Sequence, residues 1–120
     1  MMSLWDALRM NMMISYQELV RTFLNDAQVR QDGSKLLSIV SQDGSGNRAR
    51  VDQSGTYNIA YIAQSGFAND ADITQDGFGN SAKIIQKGSG NRASITQYGT
   101  QKNAVVVQKQ SQMAIRVIQR

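Results

Sequence analysis

The chain has 120 residues with no Cys, no His and no Pro, so disulfides, thiol chemistry and the commonest metal ligand and general base are all absent. Its net charge of +4 is unevenly spread: residues 81–120 hold seven Lys or Arg and no acid, against six Lys or Arg and nine Asp or Glu in residues 1–80. A one-sided basic end suits an anionic partner such as lipid headgroups, lipopolysaccharide, nucleic acid or an acidic protein, or simply aids solubility.

Residues 1–24 carry no repeat. Leu4, Trp5, Leu8 and Met12, then Tyr16, Leu19, Val20 and Phe23, fall at helical spacing. That pattern predicts one or two amphipathic helical turns, or a disordered segment. It makes a poor secretory signal, because Asp6 and Arg9 interrupt the apolar run and no small-residue cleavage pattern follows.

From Asn25 onward the chain is periodic. Gln31, Gln42, Gln53, Gln64, Gln75, Gln86, Gln97, Gln108 and Gln119 are eleven residues apart. Gly follows two residues later at Gly33, Gly44, Gly55, Gly66, Gly77, Gly88 and Gly99, and the rule breaks at Gln110. Asn47, Asn58, Asn69, Asn80 and Asn91 stand five after a Gln, Ala49 to Ala104 seven after, and Val40 to Val117 nine after. The unit reads Asn-x-Ala-x-(Ile/Val)-x-Gln-x-Gly-x-x, and so strict a period marks a repeat architecture.

The fixed positions are two apart, which is one face of a β-strand. Asn47, Ala49, Val51 and Gln53 therefore point inward, and Arg48, Arg50 and Asp52 outward. Ser54-Gly55-Thr56-Tyr57 is expected to be a turn. One unit is then a strand of about seven residues and a turn of about four, and two units make a 22-residue coil. A lone coil cannot bury its inner face, but coils stacked in register at about 4.8 Å can. The expected fold is all-β: a β-solenoid of about four and a half strand-turn-strand coils over residues 25–120, forming two facing parallel sheets. Inner amides are expected to ladder, each donating to one neighbour and accepting from the other. The expected ladder residues are Gln42, Asn47, Gln53, Asn58, Gln64, Asn69, Gln75, Asn80, Gln86, Asn91, Gln97, Gln108 and Gln119.

Outer positions support the 22-residue coil. It sets Asp70 between Arg48 and Arg92, and Asp72 against Arg50, opposite charges facing across a ladder. The alternate strands carry Leu37, Ile39, Ile59, Tyr61, Ile85, Val105 and Val107 outward, an apolar strip that suits a contact surface or a cover by the N-terminal segment. Asp70 and Asp72 as a catalytic carboxylate pair is the weaker reading, since both face outward beside Arg. No regular outward Thr array supports an ice-binding or carbohydrate-binding module, and neither an enzyme nor a cofactor is expected.

The last units degenerate. Lys102 and Met113 replace Asn, Ile115 replaces Ala, and Lys109-Gln110-Ser111-Gln112 lacks Gly. An end unit of this kind often serves as a cap. Here Lys102, Lys109, Arg116 and Arg120 gather at the end of the stack, and they are the expected contact with a membrane or partner.

The unit resembles the curlin repeat, Ser/Asn-x5-Gln-x4-Asn-x5-Gln, of the bacterial curli amyloid subunits. Asn80-x5-Gln86-x4-Asn91-x5-Gln97 is a clean instance, and the match runs over about residues 25–120. The segments Gly33-Ser-Lys-Leu-Leu37, Ile84 to Asn91 and Lys109 to Arg120 are similar to the minor subunit of that family. The resemblance implies secretion, a place on the cell surface in fimbriae attached to the outer membrane, and nucleation of the major subunit, with the outer-membrane assembly machinery as a further partner and self-association. A fibre-forming major subunit is the alternative. No nucleic acid is expected as a partner. Residues 1–24 depart from the family, whose members begin with a secretory signal.

Overall fold

The computed structural model describes residues 25–120. The expectation of a helical or disordered start, and of that segment covering the apolar strip, falls on residues 1–24 and lies outside the described residues. All regular structure among the described residues is β. Nine strands follow in order: β1 (Asp26–Ser34), β2 (Leu37–Ser45), β3 (Arg48–Thr56), β4 (Ile59–Phe67), β5 (Asp70–Phe78), β6 (Ser81–Ser89), β7 (Arg92–Thr100), β8 (Asn103–Gln108) and β9 (Ala114–Gln119).

Odd strands form one sheet in the order β1-β3-β5-β7-β9, and even strands the other in the order β2-β4-β6-β8. Every pairing is parallel and in register at 22 residues, with Val51 against Ile73, Gln53 against Gln75 and Ala60 against Ala82. This is the expected β-solenoid of about four and a half coils. A parallel strand normally needs a long crossover. Here the facing strand of the same coil is the crossover.

The core is the inner face of both sheets. Ile62, Ile73, Ile84 and Ile95 are fully buried between them, flanked by Ala49, Ala60, Ala71, Ala82 and Ala93. Small Ala holds the layers close while the β-branched residues fill the gap and favour extended backbone.

Two expectations about the units need correction. Strands β1 to β7 are nine residues long rather than seven, and the connections from β1 through to β8 are two residues rather than four, as at Tyr57-Asn58, while residues 109–113 connect β8 to β9. Ser54, Gly55 and Thr56 still pair with the next coil. The chain turns at two points instead: at Gly (Gly55, φ 103°) and two residues later at a left-handed residue (Tyr57, φ 60°). That second position is left-handed in every unit, and Lys35, Tyr57, Ala68, Gln101 and Gln112 adopt it without being Gly.

The charged rows stack as anticipated. Arg48 lies opposite Asp70, Arg50 opposite Asp72 and Asp70 opposite Arg92. Arg92 reaches Asp70 at 3.7 Å, and Arg48 reaches Asp26 at 4.0 Å.

Candidate functional site: the amide ladders and the two ends of the stack

Gln positions are inner and one coil apart, so their amides meet. In the odd sheet, Gln31 Nε2 donates to Gln53 Oε1 at 2.8 Å, Gln53 to Gln75 at 2.8 Å, Gln75 to Gln97 at 2.9 Å and Gln97 to Gln119 at 2.8 Å. In the even sheet, Gln42 donates to Gln64 at 2.9 Å, Gln64 to Gln86 at 2.8 Å and Gln86 to Gln108 at 2.8 Å. From Gln42 onward the second hydrogen of each Nε2 goes to a main-chain carbonyl of the facing sheet, as from Gln64 to Arg48 at 2.8 Å and from Gln75 to Ile59 at 2.9 Å. A carbonyl partner requires an N–H, so this second bond fixes which end of the amide is nitrogen.

All the ladder donors therefore point toward the C-terminal end. The N-terminal end presents acceptors. Gln42 Oε1 is buried there without a hydrogen-bond partner.

The Asn residues bond differently from the expected side-chain ladder. Each Oδ1 accepts the main-chain N–H of the residue one coil on: Asn58 from Asn80 at 2.9 Å, Asn69 from Asn91 at 3.1 Å, Asn80 from Lys102 at 3.0 Å and Asn91 from Met113 at 3.1 Å. Asn47 likewise takes Asn69 N–H at 3.1 Å. Each Nδ2 ties the corner, as Asn58 does to Ser54 O at 2.7 Å and to Gly77 O at 3.3 Å. The corner is too tight for amide to face amide, and the short Asn side chain reaches main chain first. The receiving residue needs only an N–H, so Lys102 and Met113 can sit above an Asn. They offer no acceptor to a coil beyond.

Gly forms a third row. A Cβ at Gly55 would lie 2.0 Å from Gly77 O, and one at Gly44 would lie 1.9 Å from Gly66 O. Only Gly lets main chain stack on main chain there. Gln110 stands in that row, and β8 stops short at Gln108, six residues long.

Two members of the ladder system lie outside the expected set. Gln31 heads the odd ladder, and Asn25 Oδ1 accepts Asn47 N–H at 3.0 Å. The eleven-residue spacing was the signal for both.

The four expected contact cations do not form one patch. Lys102 lies in the connection from β7 to β8, Lys109 in the connection from β8 to β9 at the opposite corner, Arg116 on the outer face of β9, and Arg120 just past β9. Lys109, Arg116 and Arg120 are exposed. They surround the final coil, so a surface touching them all approaches along the stack axis. The apolar strip on the even sheet is open among the described residues, with Ile59 47% and Val105 58% exposed. Among the described residues no group of three or more His, Cys, Asp or Glu could hold a metal.

The Asp72 carboxyl is moved from its ordinary pKa of 3.8. Burial pushes its carboxyl up, Arg50 opposes this, and Asp70 and Asp52 add to it. Its Oδ1 is buried without a partner.

Stacked in-register strands, inner amide ladders and end strands that are paired on one edge only among the described residues define a structural protein of the cross-β class. Residues 25–55, 47–77 and 66–99 each match the family model described as the Curlin associated repeat, and together they span more than half of the chain. The protein belongs to the curlin repeat family of curli subunits, which are structural amyloid subunits of extracellular fibres. No curated protein and no solved structure matches the chain.

Proposed function

We propose that this chain is the minor curli subunit, and that it nucleates polymerisation of the major subunit into amyloid at the cell surface. The observation that carries this reading is the inequality of the two ends. A subunit that repeats along a fibre needs a first and a last coil that match. Apart from Leu36 at an Asn position and Ser38 at an Ala position in the first coil, this chain has regular coils up to Gly99, and its last coil lacks the Asn acceptors and the second Gly. A nucleator needs one matching edge only. Unpaired strand edges are normally blocked in globular proteins. An edge with ladders in register is a template for strand addition, and a preformed template removes the slow nucleation step.

In this reading the basic end, with Lys102, Lys109, Arg116 and Arg120, faces the anionic outer membrane or its assembly machinery, and the regular coils face the fibre. The solenoid of residues 25–120 is the acting unit. Adding the purified chain to purified major subunit at low ratio tests the proposal. The expected result is a shortened thioflavin lag, with fibres built almost wholly of the major subunit. If the chain alone forms long fibres as fast as the major subunit does, it is a fibre-former and the nucleator reading fails.

A further inference from the structure

We infer that the first coil, β1 with β2, is the open end of the stack, and that its partner is a complete two-strand coil from another chain whose last units keep both Asn and Gly. The C-terminal coil is closed to any further coil. This rests on the edge-pairing reading above and names the end and the partner.

Three observations carry it. The first is Gln42 Oε1, a buried acceptor with no partner at the lower edge of β2. Both hydrogens of Gln42 are used, one on Gln64 Oε1 and one on Asp26 O. What is missing is an N–H from one coil below. Gln31 stands in the same position in the facing sheet, with its Nε2 given to Gln53. Because the two acceptors lie in opposite sheets, the donors must arrive on two strands, eleven residues apart as Gln31 and Gln42 are. A single added strand satisfies one of them. A whole coil satisfies both.

Counting 22 residues back from Gln31 and Gln42 gives Arg9 and Val20, and from Val40 it gives Glu18. This chain has no amide at either register position and an acid where an inner aliphatic residue belongs. The partner is therefore another chain.

The second observation concerns the other end. In every coil an Asn Oδ1 receives the N–H of the coil above, but the top positions hold Lys102 and Met113. The third is Gln110. In the row below, a Cβ at Gly66 would lie 2.0 Å from Gly88 O. A coil laid on Gln110 in the same geometry meets a real Cβ. The tail of this chain thus fails to fit its own head, although it retains the donors Gln108 and Gln119. The head fits a tail whose Asn and Gly are intact.

The test is a full-length variant with Lys102→Asn, Met113→Asn and Gln110→Gly, compared with the unaltered chain. The repaired tail should fit the chain's own head, and the thioflavin lag at equal concentration should shorten roughly tenfold, the effect of one buried polar mismatch relieved. Adding Gln42→Leu to the repaired chain should cancel the gain, with strand content checked by circular dichroism. A second measurement needs no substitution at Gln42. Labelled seeds of the unaltered chain, offered the repaired chain, should lengthen from one end under electron microscopy. Equal lags, or growth from both ends, overturn the inference and leave edge pairing standing. No fibres from either chain overturns edge pairing itself, and the inference with it.

Discussion

Gln53 is bonded at all three points of its amide: Nε2 gives one hydrogen to Gln75 Oε1 at 2.8 Å and one to Leu37 O at 3.1 Å, while Oε1 accepts from Gln31 at 2.8 Å. The residue is fully buried. Gln53→Ala leaves an acceptor on Gln75, a donor on Gln31 and the Leu37 carbonyl without partners. Each buried unpaired group costs about 1–3 kcal/mol. Arg50→Ala, three positions away but outward, removes the cation opposite Asp72 and should cost less than Gln53→Ala, about 1 kcal/mol. Denaturant unfolding of the two variants, side by side, checks the contrast; equal losses would mean the ladder does not hold the stack.

Parity was the part of this fold legible in the sequence. Period two across Asn47, Ala49, Val51 and Gln53 separated inner from outer residues, and the alternation of charged and apolar outer sets separated 22-residue coils from 11-residue ones. The extent of the turn was misread because Gly55 reads as part of a four-residue loop, whereas it bends the chain within a paired strand and stacks main chain on main chain against Gly77. The Asn bonding was misread for a related reason. Spacing shows that Asn is inner, but not that a shorter side chain at a corner meets main chain before it meets another amide. The polarity of the Gln ladder has no signature in sequence at all, since it depends on which carbonyl faces each Nε2.

Ser38 occupies the position held by Ala in the other regular units. It is fully buried, and its Oγ has no hydrogen-bond partner. Ser38→Ala removes an unsatisfied hydroxyl at no cost in volume, so it should stabilise the solenoid by about 1 kcal/mol. A higher midpoint in urea with an unchanged slope is the expected outcome.

Two corner positions respond to Gly in opposite ways. Gly55→Ala places a Cβ 2.0 Å from Gly77 O at φ 103°, and should cost about 3 kcal/mol or more. Ala68 is left-handed at φ 57° with a Cβ it does not need there. Ala68→Gly relieves that strain, worth up to about 1 kcal/mol before the entropy of a more flexible unfolded chain is subtracted. Thermal unfolding of both variants gives the sign of each; destabilisation by Ala68→Gly as large as that by Gly55→Ala overturns the account of the corner.

Asp72 makes stability depend on pH. Its carboxyl is raised above 3.8 by burial, with Arg50 lowering it and Asp70 and Asp52 raising it. A carboxyl raised in the folded state binds its proton more tightly there than in the unfolded chain. Its ionisation therefore destabilises the fold as pH climbs from about the ordinary value through the raised one, and the penalty persists at neutral pH. Asp72→Asn should raise stability at pH 7 and narrow the difference between pH 7 and pH 4. A variant with the full pH difference intact would assign that dependence to other carboxyls.

Lys109, Arg116 and Arg120 surround a final coil in a segment that holds no acid. If this end faces the anionic cell surface, reversing the three charges with Lys109→Glu, Arg116→Glu and Arg120→Glu should release protein from cells and leave seeding by the first coil intact. Deleting residues 109–120 should release it more completely. Retention should also fall with added salt, because attraction between exposed charges is screened over about 8 Å at physiological ionic strength. The rival account makes the last coil a stabilising cap and nothing more. Truncation then lowers thermal stability and seeding together, and the charge reversals change neither the retained fraction nor its salt dependence. Cell-associated protein and in vitro seeding, measured on the same three-residue variant, separate the two: loss of retention with seeding preserved requires a docking end, and retention preserved through the charge reversals excludes it.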